Sequence, residues 1–426
     1  MPATELVYSP AMVHQPRNTI HSVTLFVVLL LLLACITASC AWSTPAISGL
    51  LRETYPTDQN SAKTPETDRA SGSQTPLAVE SLPPPITPSA SLPIALTPST
   101  SPNSALPKAT STASPAQYLL TARFDYLSHY LSVEQRVVFT NTTDISIPDL
   151  IFVVEPNRYP GAFRLNRLAW EDDRPVSSFS LEGNRLKIPL PQPLKPTDPI
   201  QLSLSYEIFL PPIPPPSDTS RPVPFGYTAR QANIVDWYPF LPPYDSTQGW
   251  LIHNPWYYGE HQVYAVADYQ VNLQITEGSP SIIIAASAPA EEDGDWLRYR
   301  LVKARSFALS ASLEYKVSQT TVGQITVLSY AFPFHQDAGE AALQETASAL
   351  EVYAKLFGPY PRASLSVVEA DFLDGMEYDG LFFLSRGFYN LYDGSHQGYL
   401  TAIAVHETAH QWWYGIVGND QALEPW

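Results

Sequence analysis

His406-Glu407-Thr408-Ala409-His410-Gln411-Trp412-Trp413 is the stretch on which the reading of this chain turns. If Ala402 to Tyr414 is helical, the two histidines lie four residues apart on one face. Their ring nitrogens can then converge on one metal ion, with Glu407 projecting beside it. Neutral imidazole suits Zn2+, a catalytic zinc site leaves one position to water, and an adjacent carboxylate can take that water's proton. The bland alternative for a bare motif is a solvent-facing pair of histidines. The flanks argue against it: Ile403, Ala404 and Val405 precede the motif and Trp412 and Trp413 follow it, so the helix is expected to be apolar on most faces and buried. Buried His, Glu and His need partners, and a metal is one that serves all three.

Working back from the motif, Gly339 to Phe357 places Leu343, Ala347, Leu350, Ala354 and Phe357 at helical spacing, with Gly358-Pro359 as the stop. A strand is expected over Ser364 to Glu369. A loop dense in carboxylates follows, Asp371 to Leu381, and Asp393 or Ser395 is expected to cap the histidine helix. Strand, acidic loop and metal helix in that order suit the upper half of a zincin-type catalytic domain, taken as 318–426.

From 118 to 317 the period is two. Gln135 to Phe139, Ile200 to Ile208 and Tyr269 to Ile275 alternate apolar with polar residues, and Leu150 to Val154 is a continuous apolar run. Turn residues such as Asn141-Thr142-Thr143-Asp144 and Glu182-Gly183-Asn184 separate them, which argues an antiparallel β domain. An aromatic-rich insertion, Pro211 to Tyr258, carries Asp236-Trp237-Tyr238-Pro239, whose rings are expected to pack and not to form a ligand cage. Asn141-Thr142-Thr143 is also a glycosylation sequon for a host that glycosylates.

The N-terminal quarter reads differently. Residues 1–42 contain an uncharged apolar run from Val23 to Ala38, at the border between a signal segment and a spanning helix. Leu32-Leu33-Ala34-Cys35 resembles a bacterial lipobox, and Thr37-Ala38-Ser39-Cys40 is a poorer version. Residues 43–117 are rich in Pro, Ser and Thr and are expected to be a disordered stalk. The folded part is therefore expected outside the cytoplasm, secreted or attached to a membrane through its N-terminal segment.

Composition narrows the classes further. A chain of 426 residues is long enough for several domains, and a formal charge of -17 makes a nucleic-acid partner unexpected. The two cysteines, Cys35 and Cys40, both lie in the apolar segment, so the body has neither a disulfide framework nor a thiolate zinc site.

The residues also resemble a family. His406 to Trp412 matches H-E-x-x-H-Q-W of the membrane alanyl aminopeptidase family of gluzincins, which includes leukotriene hydrolase, and Val417 and Trp426 fall where that family has an apolar residue and a tryptophan. Gly375-Met376-Glu377-Tyr378, 29 residues before His406, resembles its G-A-M-E-N loop. Asp236-Trp237-Tyr238-Pro239, Asp268-Tyr269 and Arg305 to Leu309 resemble stretches of its β domain. The resemblance implies a multidomain α+β fold, an antiparallel β-sandwich or saddle followed by the front part of a thermolysin-like zincin domain. It implies that His406 and His410 bind one zinc ion, that Glu407 is the general base, and that Glu377 holds the free α-amino group of a peptide. Gly375 and Met376 would line the first subsite.

The departures are Asp374-Gly375 where the family has Gly-Ala or Gly-Gly, Tyr378 in place of asparagine, and the family's third ligand, a glutamate. Its counterpart would fall at 429, beyond Trp426, and Glu424 is too early and followed by Pro425. The sequence as given is thus expected to be a C-terminally truncated zinc aminopeptidase, an incomplete enzyme. The competing readings are a zinc endopeptidase, for which Glu377 would have no amine to bind, and an inactive extracellular module that binds peptides.

Overall fold

The strands form where the alternation predicts them. Tyr130–Thr140 buries Leu131, Val133, Val137 and Phe139, and Pro199–Phe209 buries Leu202, Leu204, Tyr206 and Ile208, so each offers one apolar face to a common core. The structure is a computed structural model that describes residues 116–215, 222–255, 260–276 and 281–424. The expected signal or anchor segment and all but the last two residues of the expected stalk lie outside the described residues. Ala116 and Gln117 open the first strand, Ala116–Asp125. Among the described residues no helix is long and apolar enough to cross a membrane.

The chain is mostly β-sheet with few helices. A seven-stranded sheet runs, edge to edge, Glu291–Asp293, Trp296–Ala304, Ala267–Ile275, Ala116–Asp125, Tyr130–Thr140, Pro199–Phe209 and Phe163–Trp170. It is not wholly antiparallel as the alternation suggested: Ala116–Asp125 pairs in parallel with Ala267–Ile275. Alternation reports which face is buried and carries no information on the direction of the neighbour. Ile147–Val153, Arg185–Leu194 and Ser180–Glu182 make a three-stranded sheet.

The aromatic insertion is built into the core. Its strands Gly226–Tyr227 and Ala232–Ile234 complete a four-stranded sheet with Ile283–Ala286 and Leu309–Ser312. Trp237 and Tyr238 are fully buried; the indole of Trp237 donates to the Phe307 carbonyl at 3.1 Å, and Tyr238 accepts from the Phe307 amide at 3.2 Å. Buried Gln135 donates to the Pro239 carbonyl at 2.7 Å, which ties the insertion to the large sheet.

The second half is a mixed five-stranded sheet, Lys316–Val322, Ile325–Ala331, Ser364–Ala370, Leu381–Ser385 and Gly375–Tyr378, with helices on one face. Its first strand spans position 317, where the sequence suggested a boundary. The long helix Gln336–Phe357 buries Ala342, Leu343, Thr346, Ala347, Leu350 and Tyr353 on one stripe. Gly339 lets it approach the sheet: a Cβ there would sit 2.5 Å from Cβ of Ala331. The helix ends at Gly358, whose φ of 105° is open to glycine and costly for other residues.

Asn141 lies at the end of its strand with no exposed surface. Its amide donates to the carbonyls of Ile145 and Leu194 at 2.8 and 2.9 Å, and its oxygen accepts from Thr143. In the folded chain the sequon's amide nitrogen is buried and spent on two carbonyls, so a glycan on Asn141 and this packing exclude one another.

Candidate metal centre

The histidine helix is Tyr399–Ala409, shorter than the expected Ala402 to Tyr414 at its C-terminal end. His410 is the C-cap residue, and Gln411 to Tyr414 leave the helix in a turn. Gly398 occupies the N-cap without a side-chain bond. Asp393 and Ser395 do not cap; Asp393 accepts from the Ser395 amide and Ser395 from the Gln397 amide, which builds the turn before the helix. Leu400, Ala404, Thr408 and Ala409 bury the helix against the core beneath Gln336–Phe357, and Glu407 is buried with them, 3% exposed.

His406 and His410 face one another, ring planes at 87°. Their Nε2 atoms are 3.2 Å apart. His410 Nδ1 points at the Trp413 carbonyl at 3.0 Å, which fixes the tautomer with Nδ1 protonated and leaves the Nε2 lone pair free. Burial pushes both imidazoles down, His406 to about 4, so both rings are neutral in the physiological range, the form that binds a metal. Two nitrogens each about 2.05 Å from one tetrahedral ion lie roughly 3.3 Å apart. The observed spacing matches that, and the two imidazoles fit zinc as two of the three protein ligands a catalytic site uses.

The acidic stretch is not all loop. Gly375–Tyr378 is an edge strand, antiparallel to Leu381–Ser385, with Glu377 opposite Phe382. Its carboxylates divide by role. Asp371 is held by Arg230 and by Thr228, and Asp379 by Arg362 at 2.7 Å and by the amide of Arg305. Glu377 instead lies beside His410, its Oε1 4.0 Å from His410 Nδ1. Glu377, Glu407 and His410 each offer an atom within 4.8 Å of the others.

Both glutamates are buried. Burial raises Glu377 to about 7. Burial, then the neighbouring charges of Glu377, Asp374 and Glu260, raise Glu407 well above the carboxylate range. One oxygen of Glu407, Oε2, is buried without a hydrogen-bond partner, and its other oxygen presses on Gly375, where a Cβ would sit at 1.9 Å. An orphaned buried acceptor beside two converging imidazoles is what a cationic or protic ligand would satisfy. Met376, half-buried, packs against the core.

The structure therefore brings Gly375, Glu377, His406, Glu407 and His410 together. Glu424 is exposed in the turn begun by Asp420, Val417 is exposed, and Trp426 lies outside the described residues.

The sequence reading missed Gln411. This residue, 2% exposed, accepts from the Gly380 amide and donates to the Tyr378 carbonyl, both at 3.0 Å. Its signals were its place directly after His410 and its match to the glutamine of H-E-x-x-H-Q-W, neither of which told what it bonds. Arg305 and Ser306, far away in sequence, also reach the site's frame: the Tyr414 hydroxyl donates to Ser306 Oγ at 2.7 Å, and Arg305 donates to the carbonyls of Tyr414 and Tyr264.

No protein-family model matches the sequence, and no curated protein matches it. Among solved structures, the chain is similar to the crystal structure of the M1 zinc metallopeptidase from Deinococcus radiodurans, with 16% identity and a TM-score of 0.47 over 71% of this chain and 65% of that one. It is also similar to a mutant of that metallopeptidase bound to a Tyr-Ser-Ala substrate, with 18% identity and a TM-score of 0.45 over 73% of this chain and 67% of that one. The chain thus spans slightly less than two thirds of the length of the first of these.

Proposed function

We propose that the chain carries metal-binding and amine-binding residues of a zinc-dependent aminopeptidase that removes the N-terminal residue from peptides. The observation that carries this reading is the pair of Nε2 atoms 3.2 Å apart, with buried Glu407 and Glu377 clustered with His410. His406 and His410 would hold the ion. When bound, zinc supplies Lewis acidity and lowers the pKa of water at the site.

The protein groups do the rest. Glu407, with one carboxylate oxygen free of partners, is placed to take a proton from water as it attacks the peptide carbonyl and to return it to the departing amine. Glu377 on its edge strand presents a carboxylate to a substrate ammonium. An ion pair formed away from bulk water rewards a charged chain end and holds the first peptide bond near Glu407. Gly375 keeps backbone, and no side chain, against that carboxylate. The N-terminal segment and a position outside the cytoplasm belong to the same proposal, on the strength of the apolar run from Val23 to Ala38.

The test, made on the full-length protein, is zinc content together with hydrolysis of an aminoacyl anilide and of its N-acetylated form. The proposal expects stoichiometric zinc and cleavage of the free form only. Cleavage of both forms would indicate an endopeptidase, and a metal-free protein without activity a binding module.

A further inference from the structure

We infer that Gln411 is a positioning residue that sets how far Glu377 stands from the two histidines, and so selects a peptide's free amino end. The inference rests on the aminopeptidase reading and deepens it.

The tight turn Tyr378–Gly380 closes the hairpin that carries Glu377. Gly380 has φ of 73°, and a Cβ there would sit 2.0 Å from the Ser287 carbonyl oxygen, so the turn is seated hard against the β region. The Asp379 carboxylate, held by Arg362 and by the Arg305 amide, pins the same side. The opposite side of the turn meets the histidine segment through Gln411, whose oxygen accepts from Gly380 while its nitrogen donates to Tyr378. Among the described residues these two are the hydrogen bonds that join the histidine segment to the hairpin.

Gln411 is adjacent to His410, and Tyr378 is adjacent to Glu377. The clamp therefore joins the segment next to a metal-facing ring to the segment next to the amine-facing carboxylate. Gly415 preserves the fit: a Cβ there would lie 2.7 Å from the Gln411 carbonyl oxygen and 3.0 Å from Asp379 Oδ1. A primary amide suits the place because it donates and accepts in one plane, matching one carbonyl and one amide of the turn. Without the clamp, the edge strand has Leu381–Ser385 on one side and, among the described residues, no second strand partner to hold its distance from the helix.

The experiment measures binding, by calorimetry, of leucinamide and N-acetylleucinamide to the purified protein, metal-free and zinc-loaded. Gln411→Met keeps length and removes both hydrogen bonds; Glu377→Gln removes the carboxylate. The expected result is that both variants keep the zinc stoichiometry of the parent, and that Gln411→Met weakens leucinamide binding about 10-fold, as loss of alignment of a charged hydrogen bond does. The acetylated probe is unaffected, and the Gly380 amide exchanges faster.

If Glu377→Gln weakens leucinamide binding while Gln411→Met leaves it unchanged, and only lowers the thermal midpoint, Gln411 is structural and the inference is overturned. If the parent protein binds both probes alike, the aminopeptidase reading itself fails and takes this inference with it. Should Gln411→Met not fold, Gln411→Glu keeps the acceptor for Gly380, loses the donor to Tyr378, and is read by the same comparison.

Discussion

Replacing Gly375 with alanine tests the site most sharply, because the added atom lands on Glu407, the proposed general base. The new Cβ would lie 1.9 Å from Glu407 Oε1, 2.5 Å from its Cδ and 3.0 Å from its Cγ. Ordinary carbon contacts begin near 3.5 Å, so the carboxylate has to retreat by roughly 1.5 Å. The backbone at 375 is not in the left-handed region, so the methyl brings steric displacement without backbone strain. Displacement of a catalytic group by about 1 Å costs on the order of 10²-fold in rate. Overpacking of a buried site adds a stability loss of about 1–3 kcal/mol. Because His406 and His410 are not touched, zinc stoichiometry is expected to be unchanged. The assay is kcat and KM for an aminoacyl anilide, with zinc content and thermal midpoint measured on the same preparation. A variant that binds zinc, folds, and keeps kcat within about threefold of the parent would refute the placement of Glu407 as the base.

Three further outcomes follow from groups around the site. Arg362→Ala strips the buried carboxylate of Asp379 of its counter-charge, both side chains being 5% exposed or less; the expected loss is about 3–5 kcal/mol in denaturant unfolding. Asn141, its amide buried and doubly bonded, is expected to carry no glycan when the chain is made in a glycosylating host, and intact mass measures this. Asp236, bonded to the Tyr264 hydroxyl at 2.7 Å, is raised to about 7, first by burial and then by the charges of Glu155, Glu260 and Glu377. A carboxyl raised on folding contributes stability that is full below about pH 4 and is lost as pH rises to about 7. Asp236→Asn is therefore expected to flatten the fall in unfolding free energy across that window; an unchanged slope would count against the assignment.

Much of the candidate site was legible because its chemistry is local. Two histidines four residues apart declare a shared helix face wherever the helix lies, with Glu407 beside it, and Glu377 was marked by its neighbours in Gly375 to Tyr378. The strands were legible for the same reason: the alternation in Ile200 to Ile208 is set by which side chains must leave water. Likewise, the spacing of Leu343, Ala347 and Leu350 announced the long helix.

Tertiary structure decided what depends on a partner distant along the chain. The parallel pairing of Ala116–Asp125 with Ala267–Ile275 is invisible in either segment, since each has the same alternation whatever the direction of its neighbour. The acidic stretch became an edge strand because Leu381–Ser385 supplied a ladder for it, and its carboxylates acquired opposite fates according to whether Arg230, Arg362 or the histidines lay opposite. The helix stopped at Ala409 so that His410 could turn its Nδ1 to the Trp413 carbonyl and Gln411 could reach the hairpin. Residue types and local spacing thus fixed which groups were available for chemistry, whereas long-range packing fixed their distances and their charge states.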